Sequence, residues 1–151
     1  MGVIKTMSED TGILEAIQDD ILAQLGTISQ VKTVDAWQGE VSDLLKIPQK
    51  LPALNVIYQG GVYEPFSQVG ENTSAAMDYL IILIVQNQKA RKDALLTAYN
   101  IIEQTRVKLT GHWVGEYDFW RPRREELLMA EGSTLVYGLT YGLDQVLTHT
   151  D

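Results

Sequence analysis

The sequence predicts an α+β fold with a mainly antiparallel sheet of four to five strands and two long helices packed on one face. Apolar residues recur at helical spacing near residues 13–25 and again near residues 94–109. The run Tyr79–Val85 is continuously apolar and rich in β-branched residues, which is typical of a strand covered on both faces. Residues 135–144 alternate strictly, which predicts another strand. The length favours one domain, residues 1–151.

The first predicted helix carries its apolar residues on one stripe: Ile13, Leu14, Ile17, Ile21, Leu22 and Leu25. Ser8 is the predicted N-cap, and Glu9 and Asp10 suit the positive end of the helix dipole. Gly26 is expected to end the helix. A short strand of β-branched residues, Val31–Asp35, follows it.

The middle of the chain predicts a short helix and a strand. The helix begins near Val41, and Pro48 prevents a long continuation. The strand covers Ala53–Gln59, and the pair Gly60 and Gly61 is expected to break it.

A long polar connection and a second amphipathic helix come next. The connection, residues 62–75, is longer than an ordinary hairpin loop and is therefore a candidate functional segment. It leads into the buried strand, residues 77–86. The second helix closes at Gly111, and its apolar positions are Ala94, Leu95, Ala98, Ile101, Ile102, Thr105 and Leu109.

The start of this second helix is basic, with Lys89, Arg91 and Lys92 at the positive end of its dipole. This local conflict suggests an anionic neighbour; the alternative is an ordinary solvated turn.

Two further strands complete the prediction: Phe119–Glu131, bent at Pro122, and the alternating strand. One face of the latter carries Leu135, Tyr137, Leu139, Tyr141 and Leu143, and we expect Tyr137, Tyr141 and Ile82 in the core. The other face contains Gly138 and Gly142, which weaken a strand unless something packs closely on them. A helix or a neighbouring subunit would satisfy that requirement.

Composition argues against several functions. The chain has no cysteine, so disulfides and thiolate zinc sites are excluded, and assembly in a reducing cytoplasm is compatible with its composition. Its net charge of −8 disfavours nonspecific DNA binding. The acidic residues either serve solubility or form a surface that lines a conduit and repels DNA. The apolar run is too short to cross a membrane as a helix, and no signal peptide is visible.

The sequence also lacks a catalytic constellation. Its two histidines, His112 and His149, stand apart from any metal-ligand spacing, and no nucleophile elbow or phosphate-binding glycine loop is present. We therefore expect no catalytic residues, no metal and no cofactor. A small hydrolase using His112 with a carboxylate remains a remote alternative.

Basic and aromatic residues supply the candidate contact sites. Arg121, Arg123 and Arg124 form the densest positive cluster. It suits nucleic-acid contact or, better in an acidic protein, salt bridges with Glu125, Glu126 and Glu131 of another subunit. The alternative is a solvated strand edge that blocks aggregation. Trp113, Phe119 and Trp120 are equally consistent with interface anchors and with core packing. The predicted interface comprises Arg121, Arg123, Arg124, Lys89, Arg91, Lys92, Tyr63, Phe66 and Trp120.

The segment from Trp37 to Gly61 resembles a known family. It reads Trp37-x-Gly39-Glu40-x-x-Asp43-Leu44-Leu45, then Pro48, then Leu51-Pro52-Ala53-Leu54-x-Val56-x-Tyr58-x-Gly60-Gly61. The pattern is similar to the Mu-like phage tail proteins encoded just before the tail sheath, and the order of elements resembles the tail-terminator fold. The chain departs from that family at Val41-Ser42-Asp43, where the family has Leu-Asp-Asp, and in its basic second-helix start.

The resemblance implies a structural virion protein that acts without catalysis. It would form a ring of six copies of itself at the head-proximal end of a contractile tail. There it would stop growth of the tube and offer a surface for head joining. Implied partners are the tail tube protein, the tail sheath protein and a neck or head-completion protein, with DNA passing through the lumen without specific binding. The chain could instead be the head-completion protein itself.

Overall fold

The computed structural model describes residues 12–64 and 73–147. Three helices are seen in these ranges: α1 (Ile13–Leu25), α2 (Val41–Leu44) and α3 (Arg91–Leu109). The strands in chain order are β1 (Thr33–Ala36), β2 (Ala53–Tyr63), β3 (Thr73–Gln86), β4 (Trp113–Val114), β5 (Asp118–Phe119), β6 (Arg121–Glu131) and β7 (Thr134–Leu147).

Five strands form one mixed, mostly antiparallel sheet in the order β1-β2-β3-β7-β6. Only β1 and β2 run parallel; the pairs β2–β3, β3–β7 and β6–β7 are antiparallel. The strands β1 and β6 are the two edges, so the arginine-rich segment lies at a sheet edge. The short strands β4 and β5 form a separate hairpin. The α+β class and the mainly antiparallel sheet are therefore confirmed.

One face of the sheet is covered by α1 and α3. The larger core cluster contains Ile17 and Ile21 of α1, Ala98 and Ile101 of α3, and many sheet residues. Helical spacing explains this burial, because residues three and four apart lie on the same side of a helix. Tyr141 is fully buried here, as predicted, whereas Tyr137 is only partly buried at the margin of the core.

The second face of the sheet is covered at one end by the chain itself. Ile82, Ile84 and Val136 form a smaller core cluster with Leu44 of α2. Partly buried residues around them include Trp37, Val41, Leu45, Leu51 and Met129. Residues 81–85 are all buried, so the prediction of a strand covered on both faces is confirmed. Towards its other end this face is more open, as exposed Val62, Ala76 and Val146 show.

The glycine pair after Gln59 does not end its strand, and that expectation was wrong. Strand β2 continues through Gly60 and Gly61 to Tyr63, with a shift of register between Tyr58 and Gly60. Gly60 has φ +116, a conformation that favours glycine and lets the strand accommodate the irregularity.

The long connection is also shorter than expected, because both strands extend into residues 62–75. Strand β3 begins at Thr73, and residues 65–72 lie outside the described part of the chain. The helix α1 begins at Ile13 with Gly12 at its N-cap, later than predicted, and Ser8, Glu9 and Asp10 lie outside the described residues.

The two glycines of β7 are covered by side chains of the same chain. A Cβ on Gly138 would lie 3.0 Å from Leu128 Cδ1 and 3.2 Å from Leu80 Cδ1. A Cβ on Gly142 would lie 2.4 Å from Arg123 Nε, so the arginine needs a glycine beneath it. The predicted bend at Pro122 is a register shift between Pro122 and Arg124, which allows Arg123 to lie across the sheet.

Candidate assembly surfaces

The first arginine of the edge-strand cluster is held by a buried carboxylate. Arg121 donates hydrogen bonds of 2.7 and 3.3 Å to Asp118, and its guanidinium lies 4.1 Å from the centre of the Phe119 ring. Asp118 also accepts the backbone N–H of Asp144 at 2.7 Å. This network joins β5, β6 and β7 and explains why Arg121 stands at the start of its strand.

The electrostatics of Asp118 follow from this network. Burial alone raises the pKa of Asp118, but hydrogen bonds from Arg121 and from the backbone N–H groups of Asp144 and Phe119 outweigh that effect. The pKa of Asp118 is therefore below its ordinary value, and the group remains a carboxylate at neutral pH.

The other two arginines also find carboxylates within the chain. Arg123 Nε lies 3.3 Å from Asp78 Oδ1, and its Nη2 lies 4.0 Å from Asp144 Oδ1. Arg124 donates a 3.0 Å hydrogen bond to Glu126. All three arginines of the cluster are thus paired inside one subunit, and Glu126, expected to serve a neighbouring subunit, is used locally.

The basic start of α3 is divided between a structural and an exposed part. The guanidinium of Arg91 donates from Nε to the backbone carbonyl of Gly132 at 2.8 Å, which ties the helix to the β6–β7 turn. The side chain of Asn87 accepts the backbone N–H groups of Lys89 and Ala90, at 2.9 and 3.3 Å. The side chains of Lys89 and Lys92 are exposed. The neighbour of Arg91 is therefore a carbonyl oxygen and not an anion.

The aromatic candidates separate into core and surface. Trp120 is fully buried and packs edge-on against Tyr79, with ring centres 5.1 Å apart, so it has no surface with which to contact another subunit. Trp113 is exposed and packs against Phe119, with ring centres 5.3 Å apart. Tyr63 is 63% exposed at the end of β2, where it remains accessible. Phe66 lies outside the described residues.

The first part of the segment that carries the family resemblance, residues 37–51, folds over the second sheet face, and the rest is part of strand β2. The backbone N–H of Trp37 bonds to Val56 at 2.9 Å, and its indole N–H reaches the Glu40 carbonyl at 3.3 Å. Gly39 has φ +144, and a Cβ there would lie 3.1 Å from the Trp37 ring. Leu44 then fills the smaller core cluster. Trp37, Gly39 and Leu44 thus each have a structural role in this segment.

Two contacts between distant segments were missed by the sequence analysis. Arg106 of α3 makes two hydrogen bonds, of 2.8 and 2.6 Å, with Glu125 of β6, and the bond from Arg106 lowers the pKa of Glu125. His112 Nε2 lies 3.1 Å from Asp20 Oδ2, which links the end of α3 to α1. Burial raises the pKa of Asp20, and the His112 contact opposes that effect. Neither pairing leaves a signal in local spacing.

In residues 12–64 and 73–147, no group of three histidine, cysteine, aspartate or glutamate side chains could hold a metal ion. Two shallow grooves stand out: one of about 300 Å³ between α3 and β6, and one of about 400 Å³ beside the segment after α2. Among the helices of the described ranges, none has the length and apolarity of a membrane span.

Comparisons with known proteins find matches among solved structures. No protein-family model matches the sequence. No curated protein matches it either. A chain in the virion of a native gene transfer agent (GTA) particle superposes with a TM-score of 0.44 at 16% sequence identity, and the match covers 84% of each chain.

Proposed function

We propose that this protein is a tail terminator of a phage-like virion, a subunit of a ring that caps the tail tube. In this role it stops tube polymerisation and presents a surface for head joining. It acts at the head-proximal end of a contractile tail, through contacts with copies of itself, with tail tube and sheath proteins and with a neck protein. It makes and breaks no covalent bond.

The observation that carries the proposal is the segment from Trp37 to Gly61. Its residues resemble the Mu-like tail proteins. In this structure Gly39 leaves room for the Trp37 ring, and Leu44 packs against the second sheet face. Because Trp37, Gly39 and Leu44 each have a structural reason, the pattern is more informative than a chance match of single letters. The element order, with α1 and α3 on one face of a mainly antiparallel sheet, is consistent with the same family.

The ring must close through two different surfaces on each subunit, because a head-to-tail contact repeats around an axis. Of the predicted interface residues, the most exposed suit this purpose best: Tyr63, Lys89, Lys92 and Arg124, whose side chain is 68% exposed despite its contact with Glu126. Arg121, Arg123 and Arg91 are engaged inside the subunit, so we assign them a supporting role at most.

The exposed end of β2 is the favoured contact with a neighbouring subunit or the tube. Val62 and Tyr63 are 76% and 63% exposed, and Val146 of β7 is 62% exposed. Val62 and Val146 lie on one face at this end of the sheet and Tyr63 lies on the other, so exposed apolar side chains mark both faces there. The net charge of −8 suits a lumen through which DNA passes without being held.

Tube polymerisation in the presence of the protein tests the proposal. Purified tail tube protein is allowed to polymerise with and without the chain, and tube lengths are measured by electron microscopy. We expect the chain to bind tube ends and to arrest their growth. Tyr63→Ser should weaken this effect without lowering thermal stability, whereas Val107→Ser, which also removes an exposed apolar side chain, should not.

Tubes that elongate unchanged, with no chain bound to them, would contradict the proposal. Binding to DNA-filled heads but not to free tails would instead support the head-completion alternative. Turnover of a substrate that disappears in His112→Ala would favour the remote hydrolase alternative.

A further inference from the structure

The outer face of α3 carries a straight stripe of four exposed residues. Lys92, Leu96, Tyr99 and Glu103, here called the α3 stripe, are separated by steps of four, three and four residues. Eleven residues make three helical turns, so the four side chains lie above one another. Leu96 is 55% and Tyr99 is 49% exposed.

The stripe is not part of the core of the subunit. The residues of α3 that face the core are Ala94, Ala98, Ile101, Ile102, Thr105 and Leu109. Leu96 points away from them, and Tyr99 lies at the edge of the groove between α3 and β6, although both are large and apolar. Two such residues one turn apart, each about half exposed, leave a small apolar patch on the helix surface.

The charges at the two ends of the stripe are opposite. Within the described ranges, Lys92 takes part in no ion pair, and neither does Glu103. The nearby guanidinium of Arg106 is engaged by Glu125 through two hydrogen bonds. Glu103 also attracts Arg106 but forms no close ion pair with it, so Lys92 and Glu103 can each pair with another molecule. They lie about 16 Å apart along the helix axis.

We propose that the α3 stripe is a docking surface for the α3 stripe of a second copy of this chain, packed antiparallel about a two-fold axis. Read along the helix, the stripe is positive, apolar, apolar and negative. The same order read backwards is its complement. Lys92 then faces Glu103 of the second copy, and Leu96 faces Tyr99 of the second copy.

The spacing supports a second copy over an unrelated partner. The midpoint between Lys92 and Glu103 in the sequence coincides with the midpoint between Leu96 and Tyr99. One two-fold axis therefore satisfies both kinds of contact at once, as an isologous interface requires. The next pair outward, Lys89 and Arg106, has like charges, but Arg106 is already neutralised by Glu125.

The contact is small. A helix of 19 residues is about 28 Å long, and one helix against another buries less surface than a stable obligate dimer does. The expected association is weak and depends on concentration. It goes beyond the proposed function, since a two-fold pair is a different contact from the head-to-tail contact of a ring.

Charge reversal and rescue test this inference. The full chain is studied by analytical ultracentrifugation from about 10 µM to 1 mM, a range in which weak complexes form. We expect a monomer–dimer equilibrium. Lys92→Glu and Glu103→Lys should each weaken dimerisation at least about tenfold, because like charges then face each other twice. The double variant Lys92→Glu with Glu103→Lys should restore it.

Controls separate this contact from other effects. Asp93→Lys changes the net charge as Glu103→Lys does but lies off the stripe, and should leave the dimer intact. Leu96→Asp should abolish it while circular dichroism and thermal stability stay unchanged. A chain that stays monomeric up to 1 mM, single variants that dimerise normally, or a double variant without rescue would overturn the proposal. The same variants are also tested for capping of tail tubes, which reports separately on the terminator role. If Lys92 acts only in the ring contact, adding Glu103→Lys would not restore capping to Lys92→Glu.

Discussion

Coverage of the second sheet face can be tested with two neighbouring residues. Ile81 and Ile82 are both fully buried, but successive residues of a strand point to opposite faces. Ile81 belongs to the core cluster beneath α1 and α3, and Ile82 belongs to the cluster closed by Leu44. Replacing each by alanine measures the two faces independently.

The expected loss is similar on both faces. Replacement of isoleucine by alanine removes three carbon atoms, which corresponds to roughly 2.4 kcal/mol of transfer free energy. The cavity that remains adds to this, so we expect Ile82→Ala to lower the free energy of unfolding by about 2–5 kcal/mol. Ile81→Ala should fall in the same range, and Ile82→Val should lower it by only about 1 kcal/mol.

The assay is urea-induced unfolding, followed by circular dichroism and by tryptophan fluorescence. Trp37 lies at the second face and Trp120 on the helix-covered side, so fluorescence reports on both clusters. An unchanged slope with denaturant would show that the variants fold to the same compact state. A loss below about 0.5 kcal/mol for Ile82→Ala, with a normal loss for Ile81→Ala, would refute coverage of the second face.

Three further predictions concern the glycine and charge networks. Gly39→Ala should lower the free energy of unfolding by about 1–3 kcal/mol, measured in urea, because φ +144 is strained for alanine. Folding lowers the pKa of Asp118, so this carboxylate stabilises the protein above the ordinary aspartate pKa. That stabilisation is lost as the pH falls through the folded-state pKa. Unfolding curves of Asp118→Asn measured at several pH values should lack this pH-dependent loss of stability. Arg123→Glu should lower the free energy of unfolding, measured by thermal unfolding, by roughly 1 kcal/mol, because it adds a carboxylate beside Asp78 and Asp144.

The last prediction changes how assembly should be tested. The sequence alone predicts that Arg123→Glu weakens assembly and leaves the subunit folded. In the structure Arg123 covers Gly142, so its replacement also disturbs the subunit. Any effect on assembly must therefore be compared with the effect on stability. Tyr63→Ser, at an exposed position, is free of this difficulty.

Much of the fold could be predicted because it depends on periodicity within short segments. A buried face must be apolar, so it is visible in the sequence: as stripes in α1 and α3, as alternation in β7 and as a continuous apolar run in β3. Short-range glycine effects were less predictable. Gly60 and Gly61 look like a break, yet pairing with β3 continues through them, because a bulge absorbs the irregular residue.

The candidate surfaces were predicted less well, because charge pairing depends on contacts between distant segments. Arg123 meets Asp78 across 45 positions of sequence, and nothing in the local pattern around either residue signals the pair. Trp120 was equally consistent with core and surface, since a single aromatic residue near a loop has no periodic context. By contrast, Leu96 and Tyr99 are detectable in retrospect as apolar residues that lie off the core stripe of their helix.

The location of the protein in assembled particles tests the central claim most directly. Tails purified without heads are imaged by electron cryomicroscopy after labelling of the protein. A closed ring of this chain at one end of every tail, the end to which heads attach, is the result that the proposed function predicts. Free tails that lack the protein while filled heads contain it, or a protein found in solution apart from every particle, would contradict it.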